Sequence, residues 1–162
     1  MNQTHIHLLI THLPIFGSIL GGLVLLHGIW TKSNQTAIAA YNLFIISAIG
    51  AGIAYLTGEA AEETVENIQG VAKTAIDAHE DFAMVSLVSL IVLGVAALIG
   101  IVLTLKKSPL TRSVAIVTLL IALVSFGLIA RTGYLGGQIR HTELNAGTAN
   151  GAMPANGEKE KD

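Results

Sequence analysis

Four apolar runs of near-spanning length dominate this chain: about Leu8 to Trp30, Ala37 to Leu56, Phe82 to Leu105 and Ser113 to Ala130. Each comes close to the roughly 20 residues that carry an α-helix through a hydrocarbon layer about 30 Å thick. Composition agrees, with 52% hydrophobic and 12% charged residues and a mean hydropathy of +0.65. Soluble domains carry roughly 25% charged residues. The chain therefore reads as an all-α integral membrane protein, a four-transmembrane-helix bundle occupying residues 1–141. The helices are expected at about 8–30, 37–56, 79–105 and 110–132.

Charge sets the expected orientation. The short connections Thr31 to Gln35 and Lys106 to Arg112 carry Lys32, Lys106, Lys107 and Arg112 and no acid, whereas Glu59, Glu62, Glu63, Glu66, Asp77, Glu80 and Asp81 collect on the opposite side. By the positive-inside rule the basic connections face the cytoplasm, so both termini and the long second loop lie outside. The first run lacks a basic leader and exceeds signal-peptide length, so it is expected to remain as the first membrane helix. Trp30 and Tyr41 on one side, and Tyr55 and Tyr134 on the other, suit the two interfaces.

Between the second and third runs, Val65, Ile68, Val71, Ala72, Ala75 and Ile76 recur among acids at nearly helical spacing. An amphipathic outer segment over 58–78 is expected there. Pro14 lies inside the first helix and should distort it beside His12. Residues 142–162, rich in Asn, Gly, Ala, Thr, Glu and Lys, read as a disordered polar tail.

The chemistry rests on histidine. There is no cysteine, which excludes thiolate metal sites and covalent haem attachment. His5, His7 and His12 open the first helix, His79 opens the third and His141 follows the fourth, so five of the six histidines gather at the outer end and only His27 lies toward the other. Ionisable groups in or near a membrane are costly and point to function. His12 and His79 are the first-choice axial pair for a haem, with His7 and His141 as alternates or as ligands of a second. His7 and His12 diverge by about 140° around a helix and do not readily share one metal. Arg131 and Arg140, near the outer end of the fourth helix, are candidates for pairing with haem propionates. Glycines at 17, 21, 22, 50 and 52 suit close helix packing.

The segment His7-Leu-Leu-Ile-Thr-His12-Leu-Pro14 resembles the opening of the bacterial membrane proteins grouped as domain of unknown function 2231. Thr57-Gly58-Glu59, His79 and Gly133-Tyr-Leu-Gly136-Gly137-Gln-Ile-Arg140-His141 fit the same pattern, so the resemblance spans nearly all but the tail. Leu8 stands where a proline is usual, and Gln138-Ile139-Arg140 where an aromatic is common. The resemblance implies a four-helix layout like that of b-type cytochromes, with His7, His12, His79 and His141 at the matching histidine positions and Gly136 and Gly137 as candidate cofactor-binding positions. It also implies respiratory partners: quinone, a c-type cytochrome or a Rieske-type module.

The expectation is a membrane electron-transfer protein with one or two b-type haems near the outer face, acting alone or as a subunit of an oxidoreductase. A non-haem transition-metal site from His7, His79 and His141 with Glu59 or Glu80, for binding or transport, is the alternative. A structural subunit without cofactor is a third. The sequence holds no phosphate loop, no nucleophile set beside a base and no nucleic-acid motif, so relay is favoured over catalysis and no nucleic-acid partner is expected. Ser86 and Ser89 read as packing residues or partners of backbone carbonyls.

Overall fold

The structure is a computed structural model that describes residues 3–66, 68 and 71–140. His141 and the expected tail lie outside the described residues, as does the side chain of Arg140. Among the described residues six helices follow one another: α1 (Gln3–Ile10), α2 (His12–Thr31), α3 (Asn34–Leu56), α4 (Gly58–Glu66), α5 (Lys73–Leu105) and α6 (Thr111–Arg140). Four segments of these residues are long and apolar enough to cross a membrane: Gln3–Thr31, Asn34–Leu56, Lys73–Leu105 and Thr111–Ile139.

The first span is two helices because of Pro14. Proline has no amide hydrogen, and its ring crowds the carbonyl four residues earlier. That carbonyl belongs to Ile10, where α1 ends. Thr11 keeps helical backbone angles and its amide still donates to His7 at 3.0 Å, so α1 continues almost directly into α2.

The long helices form a ring in which α2 packs on α3, α3 on α5, α5 on α6 and α6 on α2. Two antiparallel hairpins result, α1/α2 with α3 and α5 with α6. The core is narrow: Leu25, Ala40, Tyr41, Phe44, Leu90, Leu93 and Ala97 are fully buried. Glycine permits the close approaches, with Gly21 against the Phe44 ring, Gly100 against Tyr41 and Gly94 against Ala48. Hydroxyls also face inward, at Ser18, Ser47, Ser86, Thr118 and Ser125, while Phe16, Leu23, Val95, Leu98, Leu120 and Val124 are exposed around the outside. A core that admits glycines and hydroxyls beside its apolar side chains, with large aliphatic residues facing outward, departs from a soluble bundle, whose outer faces are polar.

Both helices that run toward the basic end stop in the same way. Lys32 and Lys107 adopt left-handed backbone (φ 55° and 52°). The next amides reach back, Ser33 to the Gly28 carbonyl at 2.9 Å and Ser108 to Leu103 at 3.0 Å. This is the Schellman closure, with lysine where glycine is usual. Ser33 then caps α3 by accepting from the Thr36 amide.

At the opposite end the segment after α3 differs from the single amphipathic stretch expected over 58–78. α4 ends at Glu66 and α5 begins at Lys73. Glu59, Glu62, Glu63 and Glu66 repel one another at helical spacing, and glycine at 70 disfavours continuing the helix. α4 packs against α1, where the Thr4 hydroxyl donates to the Ala60 carbonyl at 3.2 Å. Because α5 starts early, His79 lies in its second turn rather than at its first residue.

Candidate functional site

Two histidines are held by the same device, one in each hairpin. His7 on α1 donates from Nδ1–H to the Ala54 carbonyl near the end of α3, at 2.8 Å. His79 on α5 donates from Nδ1–H to the Thr132 carbonyl in α6, at 3.0 Å. A carbonyl oxygen only accepts, so each bond puts the ring proton on Nδ1 and leaves Nε2 of the neutral imidazole with its lone pair available. Metal-binding histidines are oriented by this kind of backbone bond. Both rings are partly buried, and they lie near enough for charge on one to be felt by the other.

The surroundings of the two rings are built from Thr-Gly pairs. Thr57 closes α3 with its hydroxyl donating to Ile53 at 2.9 Å and its oxygen 3.4 Å from His7 Nδ1. A Cβ on Gly58 would lie 3.7 Å from His7 Cε1, an ordinary contact. In α6 the seat is tighter. A Cβ on Gly136 would come within 3.0 Å of His79 Cε1 and 3.2 Å of Nδ1, so glycine is what lets the ring lie there. Thr132 is buried, and its hydroxyl meets Ser86 Oγ at 2.7 Å while lying within reach of the Phe82 and Leu128 carbonyls at 3.2 and 3.1 Å. Ser86 thus locks α5 to α6 one layer below the His79 bond.

The other described histidines sit elsewhere. His12, the first residue of α2, is exposed, donates from Nδ1 to the Leu8 carbonyl of α1 at 3.3 Å and stacks on Phe16 at 6.5 Å between ring centroids. Its divergence from His7 around the helix explains this: with His7 turned to α3, His12 faces outward. His5 and His27 are exposed as well. The structure therefore turns His7 onto α3 and His79 onto α6, near enough for their charges to interact, and sets His12 apart.

Arg131 is exposed and lies over two aromatic rings, 5.9 Å from the centre of Phe82 and 5.3 Å from that of Tyr134. Arg140 is the last residue of α6. A Cβ on Gly137 would meet nothing within 4 Å. Among the described residues no group of three or more His, Cys, Asp or Glu side chains is placed to hold a metal ion. Glu62, on α4, has its carboxyl pushed above the usual range by burial and by the neighbouring charges of Glu80, Glu66 and Asp77. The nearest basic relief is Lys73, which also meets Glu66 at 3.7 Å in an exposed pair.

Thr132 was not among the residues singled out in the sequence. The sequence offered a partial signal, a threonine with a glycine one residue on at Thr57-Gly58 and four residues on at Thr132 and Gly136. Comparison with family models, curated proteins and solved structures found no match.

Proposed function

We propose that the chain is a multi-pass membrane protein that relays electrons through a b-type haem held by His7 and His79. The observation that carries the reading is the pair of imidazoles from opposite hairpins, each fixed by a backbone carbonyl through Nδ1 and each keeping Nε2 for a ligand. The donor set fits the group. Haem would need only the two imidazoles of His7 and His79, whereas a non-haem site of imidazole and carboxylate ordinarily takes three or more protein ligands. Held there, haem would supply one-electron transfer. The protein's own share is to hold both rings in the correct tautomer, to keep the His79 seat dry through the Ser86–Thr132 contact, and to limit rotation of the rings.

The membrane part of the reading is supported by the exposed aliphatic belt on all four long helices and by their length. The positive-inside rule then gives a bacterial inner-membrane orientation with Lys32, Lys106, Lys107 and Arg112 cytoplasmic and the histidine end periplasmic. Arg131 and Arg140 remain the cationic candidates for haem propionates. A quinone and a periplasmic c-type cytochrome or Rieske-type partner are the donor and acceptor classes that the sequence resemblance implies.

The test is to express the chain with haem supply, purify it in detergent and record a reduced-minus-oxidised visible spectrum beside a metal assay. A sharp reduced α-band with a Soret shift is expected. Stoichiometric metal without a Soret band would replace this reading with a non-haem site, and neither signal would leave a structural subunit.

A further inference from the structure

At the end opposite the histidines, a cavity of about 450 Å³ opens between the α2–α3 and α5–α6 connections. Lys32, Lys107 and Arg112 line it together with Ser33, Ser108 and Thr111, and no acidic residue does. None of the three cations has a carboxylate partner among the described residues, where the one ion pair is Lys73 with Glu66 at the far end. We propose that this cavity is a binding site for a phosphate-bearing anion, supplied by an anionic phospholipid headgroup.

Three further observations point the same way. First, among the described residues the two lysines are the non-glycine residues in left-handed backbone, a conformation disfavoured for any residue with a Cβ. The two closures bring Lys32 and Lys107, from separate hairpins, to the wall of one cavity. Second, α3 and α6 both begin there, at Asn34 and Thr111, so their positive dipole ends add to the field of the three cations. Third, the Tyr41 and Thr118 hydroxyls are buried without hydrogen-bond partners. They lie one helical turn beyond Ala37 and Ala115, which line the cavity. Buried hydroxyls are normally satisfied by protein or water, so polar character continues past the cavity toward the bundle interior. Three positive charges, hydroxyl donors and two helix starts suit the several oxygens of a phosphate. The proposal does not depend on haem; only its lipid source rests on membrane insertion.

Native mass spectrometry of the detergent-purified full chain, titrated separately with phosphatidylglycerol, phosphatidylcholine and inorganic phosphate, tests it. The variants are Arg112→Gln, Lys107→Asn and Lys106→Gln. Asn tolerates the left-handed backbone at 107, and Lys106 does not line the cavity, so K107N and K106Q remove equal charge at adjacent positions. A single cysteine placed in the tail reports orientation, since the chain has none of its own. Preferential binding of phosphatidylglycerol, weakened about tenfold by R112Q and K107N but not by K106Q, is the expected result. The same variant pattern with inorganic phosphate, and no lipid preference, would uphold the phosphate site with a soluble source. Equal loss in K106Q and K107N, or no discrimination between the two lipids and no phosphate binding, would overturn the proposal.

Discussion

The two hairpins present an imidazole in the same manner but with unequal support. In the first, His7 comes from a short helix interrupted at Thr11, and it leans on a half-buried turn in which Thr57 bonds carbonyls of its own helix. In the second, His79 belongs to a continuous helix of 33 residues, and its acceptor is braced by a buried Ser86–Thr132 contact between helices. The glycine beside the first ring leaves ordinary room for a methyl, whereas the glycine beside the second leaves almost none.

Substitutions that remove an imidazole should have the largest effect. His7→Ala and His79→Ala are each expected to abolish haem absorbance in the purified protein, while His12→Ala and His27→Ala leave it unchanged. Loss in His12→Ala with retention in His7→Ala would reverse the assignment.

The two glycines sharpen the contrast. An added methyl at Gly136 pushes into the His79 ring, so Gly136→Ala should weaken haem binding by about tenfold, in the range of altered ligand orientation. Gly58→Ala, with ordinary contact to His7, should bind as the wild type does. Haem titration of the apoprotein, read at the Soret band, measures both, and equal behaviour would mean that the seats are equally loose.

A smaller, structural effect separates the threonines. Thr132→Val leaves the Ser86 hydroxyl without its partner in a buried place and should lower stability by about 1–3 kcal/mol. Thr57→Val removes hydroxyl bonds within one turn at a half-buried position and should cost under about 1 kcal/mol. Thermal unfolding in detergent would report the order.

The smallest expected effect is at Glu62. Its carboxyl is held above the unfolded range by burial and by Glu80, Glu66 and Asp77. The folded form therefore keeps a proton that the unfolded form has lost. The associated stability is present below the unfolded pKa and fades as pH rises through the folded one. Glu62→Gln should flatten a slight decline in melting temperature across the mildly acidic range; an unchanged slope would remove Glu62 from the account.

Much of the architecture was legible because long apolar runs and short basic connections are written directly in composition. Pro14 likewise announced a disturbance beside His12, and the break lies at Ile10 and Thr11. What could not be read was which histidine faces inward. These helices are apolar on nearly every side, so no polar face marks the outside and the usual amphipathic signal vanishes. His12 ranked above His7 in the sequence because it lies deeper in the apolar run, and it is the position of α3 that turns His7 inward and leaves His12 exposed. The partners that fix the rings are backbone carbonyls of Ala54 and Thr132, which carry no side-chain signature at all. Residue 79 was placed at a helix start, but α5 begins earlier, at Lys73, and this carries the ring down to the level of Thr132 and Gly136.

The most direct test is electron paramagnetic resonance of the oxidised, haem-loaded full chain beside His7→Ala and His79→Ala. The account predicts a low-spin bis-imidazole ferric signal in the wild type that is lost or converted to high spin in both variants. A high-spin wild-type signal, or a low-spin signal that survives either substitution, would contradict the pairing of His7 with His79.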